Sequence, residues 1–256
     1  MSYEAAVPGA KVSSEQLQMI CCRYYTAAQY VQDKRVLEVG CGAGLGLGYL
    51  RRTAKSVIGG DYSEDNLRYA HQHYRERVEL LLLDAQNLPF KDNSFDVVVA
   101  MEVIYYLTNL SEFFDECHRV LRKGGILCLC LPNKDVPGFH KSPLSHRYYS
   151  APELFASLNR RYFATELLGA FPISRGSTWE RVRVATIVTT GKALDMMPKG
   201  REIKEFLNKI ILGKTIVIKP ELDDSDIMAG NCKLTPIPSD SLDCRYRILY
   251  AIAHAR

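Results

Sequence analysis

The 256-residue sequence predicts an α/β fold, a doubly wound and mainly parallel sheet with helices on both faces. Three observations support this prediction. A short apolar run over 36–39 passes directly into a glycine-rich turn, which is typical of a buried strand followed by a helix. Two further apolar runs, 56–61 and 78–85, carry an acidic residue near their carboxyl ends and alternate with helical patterns. A fourth run, 95–102, is apolar at successive positions and fits a central parallel strand that is buried on both faces.

The composition is that of one elaborated domain with a substantial core. A formal net charge of +4 arises from 33 basic and 29 acidic residues without any block of five like charges, so a nucleic-acid partner is not expected. The eight cysteines fit no zinc-ligand spacing, so we expect no metal and predict reduced, buried thiols in a cytoplasmic protein. No apolar run approaches the ~20 residues that span a bilayer, and the N-terminus lacks a secretion signal, so no membrane partner is expected.

Residues 13–31 predict an N-terminal helix that precedes the first strand. Ser13 and Gln16 have the spacing of a capping box, and apolar residues follow at helical intervals. A helix in this position can lie across the mouth of a ligand site at the carboxyl ends of the strands. Tyr24 on this helix is therefore a candidate for binding the substrate.

The glycine-rich turn has glycines at alternate positions from Gly40 to Gly48. A dinucleotide-binding fingerprint would place its third glycine at position 45, which is Leu45, so the spacing does not fit a dinucleotide. Glu38 stands two residues before the first glycine and puts a carboxylate at the carboxyl end of the strand. Because a carboxylate repels a pyrophosphate and attracts an amino or sulfonium group, the turn favours a cationic ligand.

The segment VLEVGCGAGLG, residues 36–46, resembles the first motif of the class I S-adenosylmethionine-dependent methyltransferases. Six features typical of that family, ending with RVLRKGG before an apolar strand, follow in the expected order over 36–133. The resemblance implies a Rossmann-like seven-stranded sheet with an antiparallel last strand. It also implies S-adenosylmethionine as the cofactor and S-adenosylhomocysteine as the product. The residues that the resemblance places at the cofactor are Glu38, Gly40, Cys41, Gly42, Gly44, Asp61, Tyr62, Asp84, Ala85, Met101 and Glu102.

Two aspartates at strand ends have separate expected roles. Asp61 lies 21 residues beyond Gly40, and in a doubly wound sheet this spacing brings its carboxylate beside the first loop, where ribose hydroxyls can donate to it. Alternatively, Asp61 only caps the next helix, although Ser63 can fill that role. The resemblance places Asp84 against the adenine amino group, which needs an acceptor. A strand-terminating aspartate without a ligand is the alternative there.

The acceptor side is expected at the carboxyl ends of the fourth and fifth strands. In the resembling family the end of the fourth strand borders the methyl group, which implies that Tyr105 and Tyr106 either shape the acceptor pocket or take part in acid–base chemistry. The loop over 134–150 follows the fifth strand and hangs over the same edge of the sheet. His140 and His146 in this loop are the candidates for a general base, because a neutral imidazole can take a hydroxyl proton.

The end of this loop resembles a His-x-x-(Phe/Tyr)-x-x-x-Glu-Leu segment of methyltransferases from glycan and natural-product gene clusters. The residues that we expect to bind the acceptor are Tyr24, Tyr105, Tyr106 and Tyr149.

The sequence predicts a single methyltransferase domain, 1–256. Its expected parts are an N-terminal cap over 1–34, a cofactor-binding core over 35–172, an acceptor-side insertion over 173–243 and a closing strand over 244–256. The predicted reaction is methyl transfer to a hydroxyl of a small molecule, a sugar or secondary metabolite, by in-line displacement. The alternatives are N- or C-methyl transfer to a small molecule, a non-catalytic cofactor-binding partner protein, and RNA methylation, which the mild charge does not favour. The sequence indicates neither the acceptor nor the oligomeric state.

Overall fold

The computed structural model describes residues 7–173, 215–229 and 232–256. The strands in these ranges are β1 (Lys11–Ser13), β2 (Arg35–Val39), β3 (Ser56–Asp61), β4 (Glu79–Leu82), β5 (Phe95–Met101), β6 (Leu121–Pro132), β7 (Phe163–Pro172), β8 (Thr215–Val217), β9 (Thr235–Pro236) and β10 (Tyr246–Ala255). The helices are α1 (Ser14–Ala28), α2 (Leu47–Arg51), α3 (Glu64–Tyr74), α4 (Leu110–Val120), α5 (Ala151–Asn159) and α6 (Asp224–Ala229), with a 3₁₀ turn over Ile104–Tyr106. None of the helices in the described ranges has the length and apolarity that crossing a bilayer requires.

The main sheet has eight strands in the order β4-β3-β2-β5-β6-β10-β7-β9. The strands from β4 to β6 run parallel, and β10 runs antiparallel between β6 and β7. This order confirms the predicted doubly wound, Rossmann-like sheet with an antiparallel last strand. The predicted count of seven strands is one short, because Thr235–Pro236 adds a two-residue strand at the edge beside β7. Proline lacks an N–H for a further neighbour and therefore suits an edge strand.

Alternate residues of the strands form two hydrophobic cores on opposite faces of the sheet. One core packs α1, α2 and α3 against side chains that include Val36 and Val97. The other packs α4 and α5 against side chains that include Leu37 and Val98, the next residue along each strand. Because successive side chains point to opposite faces and both faces are covered, these strands appear in the sequence as continuous apolar runs.

Helix α1 begins where the sequence predicts. The Ser13 hydroxyl accepts a hydrogen bond from the Gln16 N–H, and the Gln16 side chain accepts one from the Ser13 N–H, which completes the capping box. Directly before α1, the strand β1 pairs antiparallel with β8. The helix buries Ile20, Tyr24 and Ala27. It therefore lies on the sheet face that also carries α2 and α3.

The predicted insertion is described only in part, because 174–214 and 230–231 lie outside the described residues. Within its described part, Ile218, Leu222 and Ile227 are buried on the α1 face of the sheet. The Leu222 N–H donates to the carbonyl of Leu45, 2.9 Å away, inside the glycine-rich turn. The returning segment is therefore attached to that turn.

The carboxylate of Glu221 makes a second attachment next to this one. His73 Nε2 lies 2.8 Å from its Oε2, and Arg77 donates to the same oxygen. The carboxylate also packs so closely on Gly48 at the start of α2 that a Cβ at that position would overlap it. The segment that contains Glu221 therefore contacts both α2 and α3.

Cys22 and Cys232 form a disulfide that joins α1 to the chain after α6, across 210 residues of sequence. This corrects the expectation that all thiols are reduced. The two cysteines meet only because the segment after α6 packs on α1, and spacing along the sequence cannot reveal such a contact. The remaining cysteines are free, namely Cys21, Cys41, Cys117, Cys128 and Cys130, which are buried, and Cys244, which is exposed.

Tyr74 supports the glycine-rich turn from α3, and we expect its hydroxyl to matter for stability. The hydroxyl donates to the Gly44 carbonyl at 2.7 Å and accepts from the Gly48 N–H at 3.0 Å, and the side chain is fully buried. Tyr74→Phe leaves these buried backbone groups short of a partner, which should lower the free energy of unfolding by about 1–3 kcal/mol. Urea denaturation measures this loss through the transition midpoint.

Tyr69→Phe is the matched control for Tyr74→Phe. Tyr69 lies on the same helix but is half exposed, so removal of its hydroxyl should change stability by less than about 0.5 kcal/mol. An equal loss in both variants would show that Tyr74 does not act through its two hydrogen bonds to the turn.

Candidate active site

The turn between β2 and α2 depends on glycine for two separate reasons. Gly40, Gly42 and Gly44 have φ angles of +71°, +56° and +81°, a left-handed region that other residues rarely adopt. A Cβ at Gly40 would also overlap the Val103 side chain, which follows β5. At Gly46 a Cβ would overlap the ring of Tyr24 from α1. The turn therefore lies in close contact with both α1 and the end of β5.

Glu38 places a carboxylate beside this turn. Its side chain is 1% exposed, and the Tyr24 hydroxyl donates to its Oε1 at 2.8 Å. The other oxygen, Oε2, is buried and has no hydrogen-bond partner among the described residues. A buried carboxylate oxygen without a partner is costly, and a cationic ligand group would satisfy it. The residues present therefore fit the amino group and positive charge of an S-adenosylmethionine molecule.

Asp61, at the end of β3, fastens the same turn. Its Oδ2 accepts from the Gly42 N–H at 2.7 Å, and its Oδ1 accepts from the Ser63 N–H at 2.9 Å. The cap of α3 is provided by Ser63, whose hydroxyl accepts from the Asn66 N–H. Asp61 is therefore not needed as the cap. Its predicted position beside the first loop is confirmed, and the hydrogen bond to the Gly42 N–H is one that the sequence did not predict.

An open cleft of about 430 Å³ lies next to Asp61, between the ends of β3 and β4. Tyr62 and Asp84 line it and are both exposed, and Ala85 is buried close by. Asp84 Oδ1 accepts from the Gln86 N–H at 2.8 Å, which orients the carboxylate. The volume falls within the range of small-molecule sites, and a carboxylate at its wall can accept from an exocyclic amine. The side chains that line the whole cleft are Tyr62, Glu64, Leu82, Leu83 and Asp84.

Glu102, directly after β5, forms a second carboxylate centre. Its φ angle is +63°, which is strained for a residue with a Cβ. Arg23 Nη2 from α1 lies 3.0 Å from its Oε1, and the Tyr105 hydroxyl donates to its Oε2 at 2.7 Å. The Glu102 N–H donates to the Cys130 carbonyl on β6 at 2.8 Å. These contacts hold the strained residue in place.

Helix α1 thus connects the two carboxylates through consecutive residues. Arg23 pairs with Glu102, which follows β5, and Tyr24 donates to Glu38 on the neighbouring strand β2. Arg23 is not among the residues that the sequence predicts for the site. It occurs three residues after the buried Ile20, and a charged residue at that spacing from the apolar side of a helix is the signal that could have indicated a partner inside the fold.

The predicted acceptor tyrosines lie on the other side of Glu102. Tyr105 is buried and stacks on Tyr148, with ring centroids 4.6 Å apart. Burial, followed by the negative charge of Glu102, raises the pKa of Tyr105 well above its ordinary value, so the phenol stays protonated and acts as a donor. Tyr106 contacts the Tyr105 ring, and Tyr149 is buried beneath the Arg147 guanidinium.

The structure does not bring the predicted histidine bases into contact with these groups. His140 and His146 are both exposed, and neither imidazole makes a hydrogen bond within the described part of the chain. The loop does reach the site through its backbone, since the His146 N–H donates to the Tyr105 carbonyl at 2.8 Å. The role of the two imidazoles stays a prediction.

Glu38 gives the cofactor-free protein a pH dependence that can be measured. Burial raises the pKa of Glu38 from its ordinary value of 4.5 to about 8, while the Tyr24 hydrogen bond acts in the opposite direction. A pKa that is higher in the folded state adds stability below pH 4.5, and this stability is lost as the pH rises through about 8. We therefore expect the free energy of unfolding to fall with rising pH in this window.

Glu38→Gln isolates this effect because it removes the titration and keeps an oxygen for Tyr24. Denaturation at a series of pH values should show a steeper decline for the parent protein than for the variant between about pH 5 and pH 8. Parallel curves for the two proteins would contradict the raised pKa.

The sheet order, the antiparallel β10 and the acid-flanked glycine turn together define the class I, Rossmann-like methyltransferase fold. A family model described as a methyltransferase domain matches residues 37–129. A probable S-adenosylmethionine-dependent methyltransferase of Mycolicibacterium smegmatis is 34% identical over 176 residues, which cover 67% of this chain and 68% of the relative. The chain belongs to the S-adenosylmethionine-dependent methyltransferases, and S-adenosylmethionine is its cofactor.

Two further comparisons extend this result. A fatty-acid O-methyltransferase of Mycolicibacterium smegmatis is 36% identical over 137 residues, and the match spans half of each protein, 50% of this chain and 50% of the relative. The crystal structure of the YcgJ protein from Bacillus subtilis has a TM-score of 0.56 at 16% identity and covers 94% of this chain and 99% of that one. The low identity of the second comparison means that it supports the fold alone.

Proposed function

We propose that this protein transfers the methyl group of S-adenosylmethionine to a hydroxyl oxygen of a small molecule, such as a sugar or a secondary metabolite. The observation that carries the proposal is the pair of carboxylates at the ends of β2 and β5. Glu38 has a buried carboxylate oxygen without a hydrogen-bond partner among the described residues. Glu102 directly precedes Val103, whose side chain packs on Gly40. One carboxylate fits the cationic donor, and the other borders the place where an acceptor must approach.

The donor is assigned to the glycine-rich turn and its acidic neighbours. Glu38 would receive the amino group, Asp61 the ribose hydroxyls and Asp84 the adenine amine, with Tyr62 along the wall of the cleft. Met101, which is buried at the end of β5, and Cys41, Gly42 and Ala85 would complete the contact surface.

When bound, the cofactor supplies a methyl group on a positively charged sulfur, so little further activation is needed. The protein then has three tasks, which are to align donor and acceptor, to exclude water and to receive the proton of a hydroxyl acceptor. The close packing of Tyr24 from α1 and of Val103 against the turn supports the first two tasks. Tyr105, Tyr106 and Tyr149 would form the acceptor wall.

Oxygen is favoured over nitrogen or carbon as the methylated atom on two grounds. The relative from Mycolicibacterium smegmatis that matches half of this chain is an O-methyltransferase. The carboxylate and phenol at Glu102 and Tyr105 can also bind a hydroxyl, which both donates and accepts. The intact set of acidic residues argues against a non-catalytic cofactor-binding protein.

A panel of acceptors with methyl-labelled cofactor tests the proposal. A sugar, a catechol, a fatty acid and an amine would each be incubated with the protein, and the methylated products identified by mass spectrometry. Ether products support the proposal, whereas products from amines alone would overturn it. Calorimetry without detectable cofactor binding would exclude both the enzyme and the cofactor-binding alternative, and would leave only a protein that has kept the fold as a scaffold.

The same assay tests the two histidines. His140→Ala or His146→Ala should lower the turnover of a hydroxyl acceptor if that imidazole serves as the base. A variant that methylates at the parental rate would remove that histidine from the base role.

A further inference from the structure

Several polar side chains surround Glu102, and the proposed binding of the donor gives them no role. The cluster consists of Arg23, Glu102, Tyr105, Cys130 and Tyr250, from α1, the 3₁₀ turn and its approach, β6 and β10. Glu102 Oε1 receives Arg23 Nη2 at 3.0 Å and the Cys130 thiol at 3.7 Å, and Oε2 receives the Tyr105 hydroxyl at 2.7 Å. Tyr250 on β10 is paired with Cys130 on the neighbouring strand β6.

The Glu102 carboxylate can accept one further hydrogen bond from a ligand. A carboxylate has about four lone-pair directions, and three donors in the described structure use three of them. The oxygen that binds only Tyr105 retains one direction. Because the Glu102 side chain keeps 16% exposure, an incoming hydroxyl can reach it.

Two more polar atoms in this cluster lack partners among the described residues. Arg23 Nε and the Tyr250 hydroxyl are buried without a hydrogen bond. Burial raises the pKa of Tyr250 well above its ordinary value, and the positive charge of Arg23 acts against this rise. Unpaired buried polar atoms carry a cost that a polar ligand would remove.

The strained backbone of Glu102 also indicates a functional role for this residue. A φ of +63° in a residue with a Cβ persists only where the surrounding structure enforces it, and such positions concentrate at active sites. This backbone conformation places the carboxylate just beyond the carboxyl end of the central strand β5, next to Val103, which packs on the glycine-rich turn.

From these observations, we infer that Glu102 is a catalytic residue that binds the acceptor hydroxyl and takes its proton, with Arg23 and Tyr105 as positioning residues. The assignment rests on the hydroxyl acceptor proposed above. Glu102 is thereby assigned to the acceptor and not to the cofactor contacts that the sequence resemblance implies.

The proposed step balances without any further reactant. A lone pair of the acceptor oxygen forms the new O–C bond while the C–S bond breaks, and the electron pair of that bond stays on sulfur, which becomes a neutral thioether. The hydroxyl proton passes to Glu102 and leaves to solvent with the product. The guanidinium of Arg23 provides the counter-charge for the carboxylate, and the Tyr105 phenol fixes its orientation.

Cofactor binding is the first test, because it does not depend on knowing the acceptor. S-adenosylhomocysteine is titrated into Glu38→Gln, Glu102→Gln and the control Glu76→Gln, whose exposed carboxylate lies beyond α3. We expect Glu38→Gln to lose affinity by at least tenfold, and Glu102→Gln to stay within about threefold of the parent, as Glu76→Gln does. A loss in Glu102→Gln equal to that in Glu38→Gln would place Glu102 at the donor and overturn the inference. Binding within this range would also show that Glu102→Gln is folded, and a thermal melt checks the fold of Glu38→Gln.

Turnover is the second test, with catechol and palmitate as acceptors. Glu102→Gln should lower kcat on catechol by about 10²–10⁴-fold, the usual contribution of a general base, and leave any turnover of palmitate unchanged, because a carboxylate acceptor has no proton to lose. Unchanged kcat on catechol would overturn the inference and leave the proposed function standing. Methylation of amines alone would overturn both.

Arg23 is tested by comparing two replacements. Arg23→Lys should retain more of the parental kcat on catechol than Arg23→Met, because lysine keeps the positive charge beside Glu102, while KM changes little in either. Equal activity of the two variants would remove Arg23 from the positioning role. Tyr105→Phe, which preserves the Arg23 pair, is expected to lower kcat by about tenfold with unchanged cofactor affinity.

Discussion

Asp61→Asn is expected to weaken the binding of S-adenosylhomocysteine by about 100-fold or more. The parent carboxylate accepts hydrogen bonds from the Gly42 and Ser63 N–H groups, at 2.7 and 2.9 Å. An asparagine amide must direct its NH₂ group at one of these donors, so one hydrogen bond is lost and the turn is no longer held in place. Hydrogen bonds to charged groups contribute about 1.5–3 kcal/mol each, and the proposed ribose contact would be lost in addition.

Isothermal titration measures this loss, and Asp65→Asn is its control. Asp65 lies four residues further on at the start of α3, is exposed, and forms a salt bridge with the exposed Arg68. Its replacement should leave the affinity within a factor of about two. If Asp61→Asn and Asp65→Asn bind equally well, Asp61 does not shape the cofactor site.

Gly40→Ala is expected to abolish cofactor binding and to destabilise the fold, the largest effect of any single substitution that we consider. Gly40 has a φ of +71°, and an added Cβ would overlap the Val103 side chain. Relief of that overlap requires the turn or the branched Val103 side chain to move. We expect the turn to move, which would displace the backbone N–H groups and the Glu38 carboxylate from the ligand together.

Gly124→Ala separates backbone strain from this overlap. Gly124 has a nearly identical φ of +74°, but nothing lies within 4 Å of its added Cβ. The control should therefore show only the cost of a left-handed alanine, about 1 kcal/mol, with normal cofactor affinity. Thermal melts and titrations of both variants test the expectation. Normal binding by Gly40→Ala would show that contact between the turn and β5 is not needed for the cofactor.

The fold was predictable because its signals are local. Apolar runs bounded by turns located β2, β3 and β5, and the hydroxyl groups of Ser13 and Ser63 marked the starts of α1 and α3. Each signal depends on residues that are neighbours in sequence. The two-residue strand β9 has no such pattern, because two residues cannot show a period.

The site residues at the ends of strands could be predicted from the sequence. Those that helices contribute could not. Glu38, Asp61 and Glu102 follow from strand ends that meet at one edge of the sheet. Tyr74 and Arg23 reach the same edge from helices, and their partners are set by packing angles that spacing does not encode. The Cys22–Cys232 disulfide could not be predicted either, because it also depends on how a distant segment packs on α1.

The attachment of the returning segment to the turn has a consequence for how the two ligands influence each other. The Leu222 N–H donates to the Leu45 carbonyl, and Glu221 packs on Gly48, so any shift of this segment would move the turn to which we assign the donor. A substituent on an acceptor that favours one position of the segment would then alter donor affinity, and by thermodynamic reciprocity the donor would alter acceptor affinity by the same factor. Affinities of either ligand measured alone would therefore understate those in the ternary complex when the coupling is favourable.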